Sequence, residues 1–255
     1  MDSAEPARAA RPPWDIAVPS RPGRLPGVTM AGFSDEANDL TDVEMIPHPA
    51  VTVIFNLGDG PLVVDDGSGH QQRERVVAGL APDRARGRGL AGSFECLQVR
   101  LSPVAAHAAL GASSELGGAV AALDDLWGRD AVRVQEQLRA AGSWEQRFAM
   151  AEAVLARRHD ARRPVDPEVA FCWRQLVTSR GRARVERLAA GVGWSRKRLW
   201  SRFRSQIGLT PKRAAQLVRF DQAAHHLAAG GSAAVVAAES GYVDQSHLHR
   251  DVMTF

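Results

Sequence analysis

The 255-residue chain is short of cysteine, of lysine and of long apolar runs, and each shortage excludes something. Its 2 cysteines, Cys96 and Cys172, lie far apart, which argues against a disulfide framework or a cysteine-built metal site and suits a reduced compartment. No apolar stretch approaches the roughly 18 to 20 residues of a spanning helix, so no membrane partner is expected. Met1 to Pro13 mixes Pro, Ala and Arg without the continuous apolar core of a signal peptide. Residues 1–21 are therefore expected to be a flexible arm, and the protein to be cytoplasmic. The 8 histidines form no H-E-x-x-H and no close His-x-His with Glu, and His247 and His249 would point apart on a helix. Gly58-Asp59-Gly60 and Gly67-Ser68-Gly69 lack the Gly-Lys-Ser/Thr ending of a phosphate loop and read as turns. No catalytic residue, metal or cofactor is expected.

What lysine there is, Lys197 and Lys212, falls in the last third, with most of the excess positive charge. Residues 162–255 hold 16 Lys+Arg against 7 Asp+Glu, a balance of +9, whereas residues 1–161 hold 16 against 22, a balance of −6. The basic side chains crowd into one stretch, Arg196, Lys197, Arg198, Arg202 and Arg204. On a helix opening at Ser195, such a cluster suits phosphate neutralisation with counterion release.

Two segments flank that charge with one pattern. Leu188 to Leu199 and Val236 to Leu248 each read as helix, tight turn and second helix. In each, an alanine (Ala189, Ala237) precedes a glycine (Gly193, Gly241) by four residues, and an aromatic follows (Trp194, Tyr242). Closely crossing helices need a methyl-sized side chain at the crossing, and the turn needs a residue tolerant of positive φ. Between them, Thr210-Pro211 is an N-cap and first-turn signature, and Leu217, Phe220, Ala224 and Leu227 give one apolar face up to Gly230-Gly231. A helix from Pro211 to Leu227 spans roughly 25 Å, enough to hold two helix-turn-helix units near the ~34 Å repeat of successive major grooves.

From about residue 166 onward the sequence resembles the DNA-binding domain of AraC/XylS-type transcription regulators. The resemblance rests on Gly193 to Pro211 for the first unit and Glu239 to Arg250 for the second, with its one-residue-longer turn and Asp244 as helix cap. It implies base-facing roles for Lys197, Trp200 and Ser201 in the first recognition helix, and for Gln245, Ser246, His247 and Arg250 in the second. Arg196 and Arg204 join them from the basic cluster as DNA contacts. Leu199, Phe203, Leu248 and Val252 would pack inward. Trp200 stands where a polar residue is usual and would meet a thymine methyl or a sugar. Family members continue past the position of Phe255 into a Gly-x-Thr-Pro-like turn and a closing helix. Without them Leu248, Val252 and Phe255 would lack cover, and residues 232–255 are expected to exchange amide protons faster than residues 184–207.

Ahead of this domain, residues 22–102 read as a small β-rich domain, a barrel or sandwich. Strands are expected at Val28 to Phe33, Val43 to Ile46, Val51 to Leu57, Leu62 to Val64, Arg75 to Ala78 and Glu95 to Leu101. Gly58-Asp59-Gly60 would be a hairpin turn between the third and fourth of these. In AraC-like regulators this place is often held by a cupin-type effector-binding domain, which the segment resembles in position and strand pattern. Residues 103–161 read as a helical linker, with helices at Pro103 to Leu110, Leu116 to Leu126, Val132 to Ala140 and Ser143 to Arg158. Ser143 and Gln146 pair as a capping box. A hinge is expected over Ala161 to Asp166, before a helix opened by Pro167, so that residues 162–255 form the DNA-binding domain.

The expected fold is thus α+β: a cupin-like N-terminal barrel with a helical linker, then an all-α pair of helix-turn-helix units. The expected function is sequence-specific transcription regulation on double-stranded DNA, modulated by a small-molecule effector or by homodimerisation, with RNA polymerase as a partner should the protein activate. The alternative is a small-molecule-binding enzyme domain fused to a DNA-binding module.

Overall fold

A computed structural model describes residues 15–35, 43–80, 85–89, 94–111, 113–161 and 164–255. Most of the expected arm and part of the expected hinge lie outside these residues. In chain order come β1 (Asp15–Ala17), β2 (Val28–Asp35), β3 (Val43–Glu44), β4 (Val51–Asn56), β5 (Leu62–Asp65), β6 (Gln71–Arg73), β7 (Arg75–Ala78), β8 (Arg86–Gly89) and β9 (Phe94–Leu101). They are followed by α1 (Pro103–Leu110), α2 (Ser113–Leu116), β10 (Val120–Ala122), α3 (Leu123–Trp127), α4 (Arg129–Ala140) and α5 (Trp144–Asp160). The remaining helices are α6 (Pro167–Thr178), α7 (Val185–Gly191), α8 (Arg196–Ile207), α9 (Pro211–Ala228), α10 (Ala233–Glu239) and α11 (Gln245–Thr254).

The strands form two antiparallel sheets, β1-β2-β9-β4-β7-β10 and β3-β8-β5-β6. All six expected strands are present, but β4 and β5 do not form a hairpin. β4 is central in the larger sheet, between β9 and β7, and buried along its whole length, so the chain crosses at Gly58–Gly60 into the other sheet. Four strands escape sequence patterning. β8 reads Arg-Gly-Arg-Gly and β6 Gln-Gln-Arg, with no apolar alternation, while β1 and β10 have only 3 residues each. The helix expected over Leu116 to Leu126 is instead α2, β10 and α3, because Val120 to Ala122 pair with β7 along the sheet edge.

Alternation along β9 divides the larger sheet into two working faces. Leu97, Val99 and Leu101 face the helices, packing with Val53, Val77, Leu110, Leu138, Phe148 and Leu155. The opposite residues, Phe94, Cys96, Gln98 and Arg100, face the space between the sheets. Gly32 on β2 lets α5 close onto the sheet, since a methyl there would collide with the Trp144 ring. The helices start where the caps predict: Ser102 accepts from the Ala105 N–H (3.2 Å) and Ser143 from the Gln146 N–H (3.3 Å). Buried Gln135 ties α4 to the sheet, donating to the Asn56 carbonyl (2.6 Å) and accepting from Arg75, which itself grips Asp124 (3.0 and 3.2 Å).

The same apolar core continues into the C-terminal helices through Val169, Cys172, Trp173, Leu199, Phe203 and Leu217. α8 leans on α1 and α2. At its end Gly208 has φ 90°, and a Cβ there would stand 2.8 Å from the Ser114 carbonyl. The first recognition helix is therefore seated on the linker helices by its C-terminal end, leaving its N-terminal half outward.

Candidate nucleic-acid interface

The two repeated segments fold alike, down to the bond that closes each turn. In the first, Ala189 is buried in α7, Gly193 takes φ 65°, and the Trp194 N–H donates to the Ala189 carbonyl at 2.9 Å. In the second, Ala237 is buried in α10, Gly241 takes φ 78°, and the Tyr242 N–H donates to the Ala237 carbonyl at 2.9 Å. Each following helix is capped by a side chain: Ser195 accepts from the Arg198 N–H (3.2 Å), Asp244 from the His247 N–H (2.7 Å). Thr210 caps α9 by accepting from the Arg213 N–H (3.2 Å). The 18 residues of α9 span roughly 27 Å between the units.

α8 buries Leu199, Phe203 and Ile207, a repeat of four that pins one side of the helix. Arg196, Lys197, Trp200, Ser201 and Arg204 are all exposed. Trp200 is 46% exposed, and the Arg204 guanidinium lies 5.2 Å from its ring centroid, so the two form one stacked surface. Arg196 reaches Glu186 at 3.5 Å, a solvent-exposed pair. Arg202, counted in the basic cluster, is otherwise engaged, holding the Asp166 carboxylate with two bonds (2.8 and 2.9 Å) that tie α8 to the start of α6. On α11, Gln245, Ser246 and Arg250 are exposed, and the Arg250 side chain returns to the Ser246 carbonyl (3.3 Å). His247 is half-buried, its ring edge-on to Tyr242 at 5.1 Å. Its partner in the second unit is thus the turn aromatic.

The underside of α11 departs from the expected packing. Leu248 is buried but Val252 is 39% exposed, and the inward place goes to Asp251, 3.5 Å from Arg219 of α9. Arg219 also lies over the Tyr242 ring (4.8 Å), and burial followed by the Asp251 charge pushes the Tyr242 phenol up to about 12. Sequence patterning misses this contact because an isolated Asp on an amphipathic helix reads as solvent-facing. Phe255 does find cover: its ring sits 4.9 Å from Phe220 and 3.8 Å from the Arg213 guanidinium.

The N-terminal region contributes two spaces that sequence alone does not reveal. A cavity of about 310 Å³ lies between the sheets, walled by Phe33, Ile54, Leu62, Val64, Phe94 and Cys96. Part of its room comes from Gly87 and Gly89, which leave the inner face of β8 without side chains. A second space of about 670 Å³ opens between the β-rich region and helices α6 and α9, with Trp173, Arg174, Asp221 and His225 on the helical side. His48 and Arg100 line both. His48 accepts from the Ala50 N–H at Nδ1 (3.2 Å), so Nε2 carries the proton and donates to Thr52 (3.0 Å). Burial, with the neighbouring Arg100 charge, lowers its pKa to about 4. Among the described residues, no group of three or more His, Cys, Asp or Glu could hold a metal ion, and no helix is long and apolar enough to cross a membrane.

The His48 environment carries a pH prediction. Its folded pKa lies below the unfolded value of about 6.5, so the unfolded chain takes up the proton first. The His48 contribution to stability is complete above about pH 6.5 and is lost as pH falls toward 4, amounting to a few kcal/mol at most. His48→Gln should flatten this part of a pH series of denaturant unfolding curves; an unchanged slope would contradict the assignment.

Fold and interface together define the class: residues 188–255 form an AraC-type helix-turn-helix domain, and the chain is a DNA-binding transcription regulator. The family model described as "Helix-turn-helix domain" matches residues 188–255. No curated protein sequence matches the chain. Among solved structures, it is similar to a variant of apo ToxT from Vibrio cholerae strain SCE256, at 10% identity and TM-score 0.50, covering 91% of this chain and 95% of that one. Wild-type ToxT of the same strain, solved with an unsaturated fatty acid bound, aligns at 10% identity and TM-score 0.47, over 92% and 93% of the two chains. The AraC-like transcriptional activator CuxR aligns at 14% identity and TM-score 0.32, over 87% and 89%.

Proposed function

We propose that the protein reads two adjacent major grooves of one operator, α8 entering the first and α11 the second. Arg196 and Arg204 neutralise phosphates in this reading, while Lys197, Trp200, Ser201, Gln245, Ser246, His247 and Arg250 form the base-facing set. The observation that carries it is the pair of equivalent turns, each followed by a capped and outward-facing helix, held at the two ends of α9. The mechanism is equilibrium binding without turnover, in the cytoplasm. Residues 22–102 act as the effector domain, a role supported by the 310 Å³ cavity between its sheets, whose size is that of small-molecule sites. Residues 103–161 act as the linker, and residues 162–255 as the DNA-binding domain. Homodimerisation, and contact with RNA polymerase on activation, belong to the same reading.

Selection of the full-length protein on randomised duplexes tests it: a motif in two parts, centred about one helical turn apart, is expected. A single short motif would mean that one unit does not read bases. On the selected site, Lys197→Ala or Arg250→Ala should each cost about 1 to 3 kcal/mol and relax discrimination at one base position. Arg204→Ala should weaken all sequences about equally, measured by competition titration against mismatched duplexes. A reversed pattern of selectivity would show the helix faces to be assigned wrongly.

A further inference from the structure

The second helix-turn-helix unit has an apolar cluster of its own, Ala223, Val236, Ala237, Tyr242 and Leu248, apart from the core that holds α8. The chain enters this unit through Gly230–Gly231, a junction without side chains to brace it. Side chains of α9 fasten the unit from one side. Arg219 holds Asp251 and covers Tyr242, Phe220 and Arg213 cover Phe255, and His226 meets the Glu239 carboxylate at 3.7 Å.

A tie of different origin comes from the loop between α6 and α7, residues 179–184. Arg182 crosses 57 positions of sequence, its Nη2 donating to the Glu239 carbonyl at the end of α10. Its side chain also lies against the turn glycine of the second unit: a Cβ on Gly241 would stand 3.0 Å from Arg182 Nε and 3.5 Å from its Cγ. The acceptor suits a cation, because the last carbonyls of a helix lack intrahelical partners and carry partial negative charge. The loop is braced at its base. Gly181 has φ 72° and lies so close to α9 that a Cβ would collide with the Ala215 carbonyl and stand 3.0 Å from the Arg219 backbone nitrogen. Ser179 Oγ accepts from the Ala183 N–H (3.0 Å) and donates to the Leu176 carbonyl (3.1 Å). Arg182 thus projects from a base fixed to α9 and to α6, and Cys172, Trp173 and Leu176 of α6 share the core of Leu199 and Phe203 on α8.

We infer that Arg182 is a positioning residue that sets the bearing of α11 relative to α8, and with it the spacing at which the protein accepts the two halves of its operator. The inference rests on the two-groove reading above and adds what fixes the separation of the grooves read. One extra base pair displaces the second half by about 3.4 Å and turns it by about a tenth of a turn around the duplex. A unit held by Arg182 does not follow that shift, whereas one swinging about Gly230–Gly231 does.

Spin labels at Ser205→Cys on α8 and His249→Cys on α11 read the bearing by pulsed dipolar spectroscopy of the full-length protein without DNA. Both positions are exposed and outside the DNA-contacting set, and the native Cys96 and Cys172 are buried. The labelled chain should give one narrow distance distribution. Arg182→Ala should broaden it clearly, and Arg182→Lys, which keeps the charge, should restore most of the sharpness. Binding is then measured on duplexes carrying the selected halves one base pair closer, as selected, and one base pair further apart. The wild type should lose at least about ten-fold per base pair of misfit, the worth of one good base contact, and Arg182→Ala less than about three-fold. Discrimination against mismatched bases within each half should stay as in the wild type. An unchanged distance distribution or an unchanged spacing preference in Arg182→Ala would overturn the inference. Lost base discrimination would overturn it too, since Arg182 would then act as a DNA contact or in folding. A wild type that selects no two-part motif would overturn the two-groove reading, and the label distances alone would still decide whether Arg182 holds the second unit.

Discussion

Raising the salt concentration from about 50 to about 200 mM should cost the full-length protein roughly a thousand-fold in affinity for its operator. The expectation comes from where the charge sits. Residues 162–255 carry a balance of +9, and Arg196, Lys197, Arg198 and Arg204 are exposed on or beside one recognition helix. Arg202 is held by Asp166 and Arg219 by Asp251, so neither counts toward the phosphate total. If the remaining cations of both units meet about six phosphates, log K should fall against log salt with a slope of about −5. The N-terminal balance of −6 does little to offset this, because charges beyond the Debye length of about 8 Å are screened. A fluorescence anisotropy titration over that salt range reads the slope directly, and a value near zero would remove the electrostatic basis of the proposed interface.

Phe203→Ala should destabilise the protein by about 3 to 5 kcal/mol and abolish specific binding at temperatures well below those the wild type tolerates. Phe203 is fully buried, and it shares a core with Leu199 and Ile207 from its own helix, with Leu188 and Ala189 of α7, and with Leu217 of α9. The same core runs on to Leu110 and Leu138 beneath the larger sheet. A cavity opened here lies where α8 is seated on the linker helices, so its recognition strip loses its anchor together with the fold. Urea unfolding with matched anisotropy measurements would check both effects. Loss of binding without loss of stability would mean that Phe203 contacts DNA, and a cost below about 1 kcal/mol would mean that the first unit is packed differently.

The C-terminal domain was legible in the sequence because its determinants are local. Ala189 with Gly193 and Ala237 with Gly241 encode a crossing and a turn within one short window, and Thr210-Pro211 encodes a helix start. The same holds for Ser143 ahead of α5 and for the alternation of β9. Partnership across the chain was not legible. Nothing near Leu62 shows that β5 pairs with β6 and β8 and not with β4, and Arg-Gly-Arg-Gly becomes β8 only because two neighbouring strands offer it hydrogen bonds. Val252 and Asp251 exchange their expected places for the same reason, since the position of Arg219 on α9 decides which of them turns inward.

Short-range rules of capping, glycine tolerance and periodicity let the sequence by itself determine which segments become helices, where each turn falls, and which third of the chain carries the positive charge. Only the tertiary structure decided which charges remain available and which spaces stay open. Arg202 and Arg219 are occupied by carboxylates 36 and 32 residues away in sequence. Arg100 stands without a direct partner because two sheets and two helices, from opposite ends of the chain, leave a gap around it. A side chain's local pattern fixes the direction in which it leaves the backbone; what it meets there is set by contacts the local pattern does not encode.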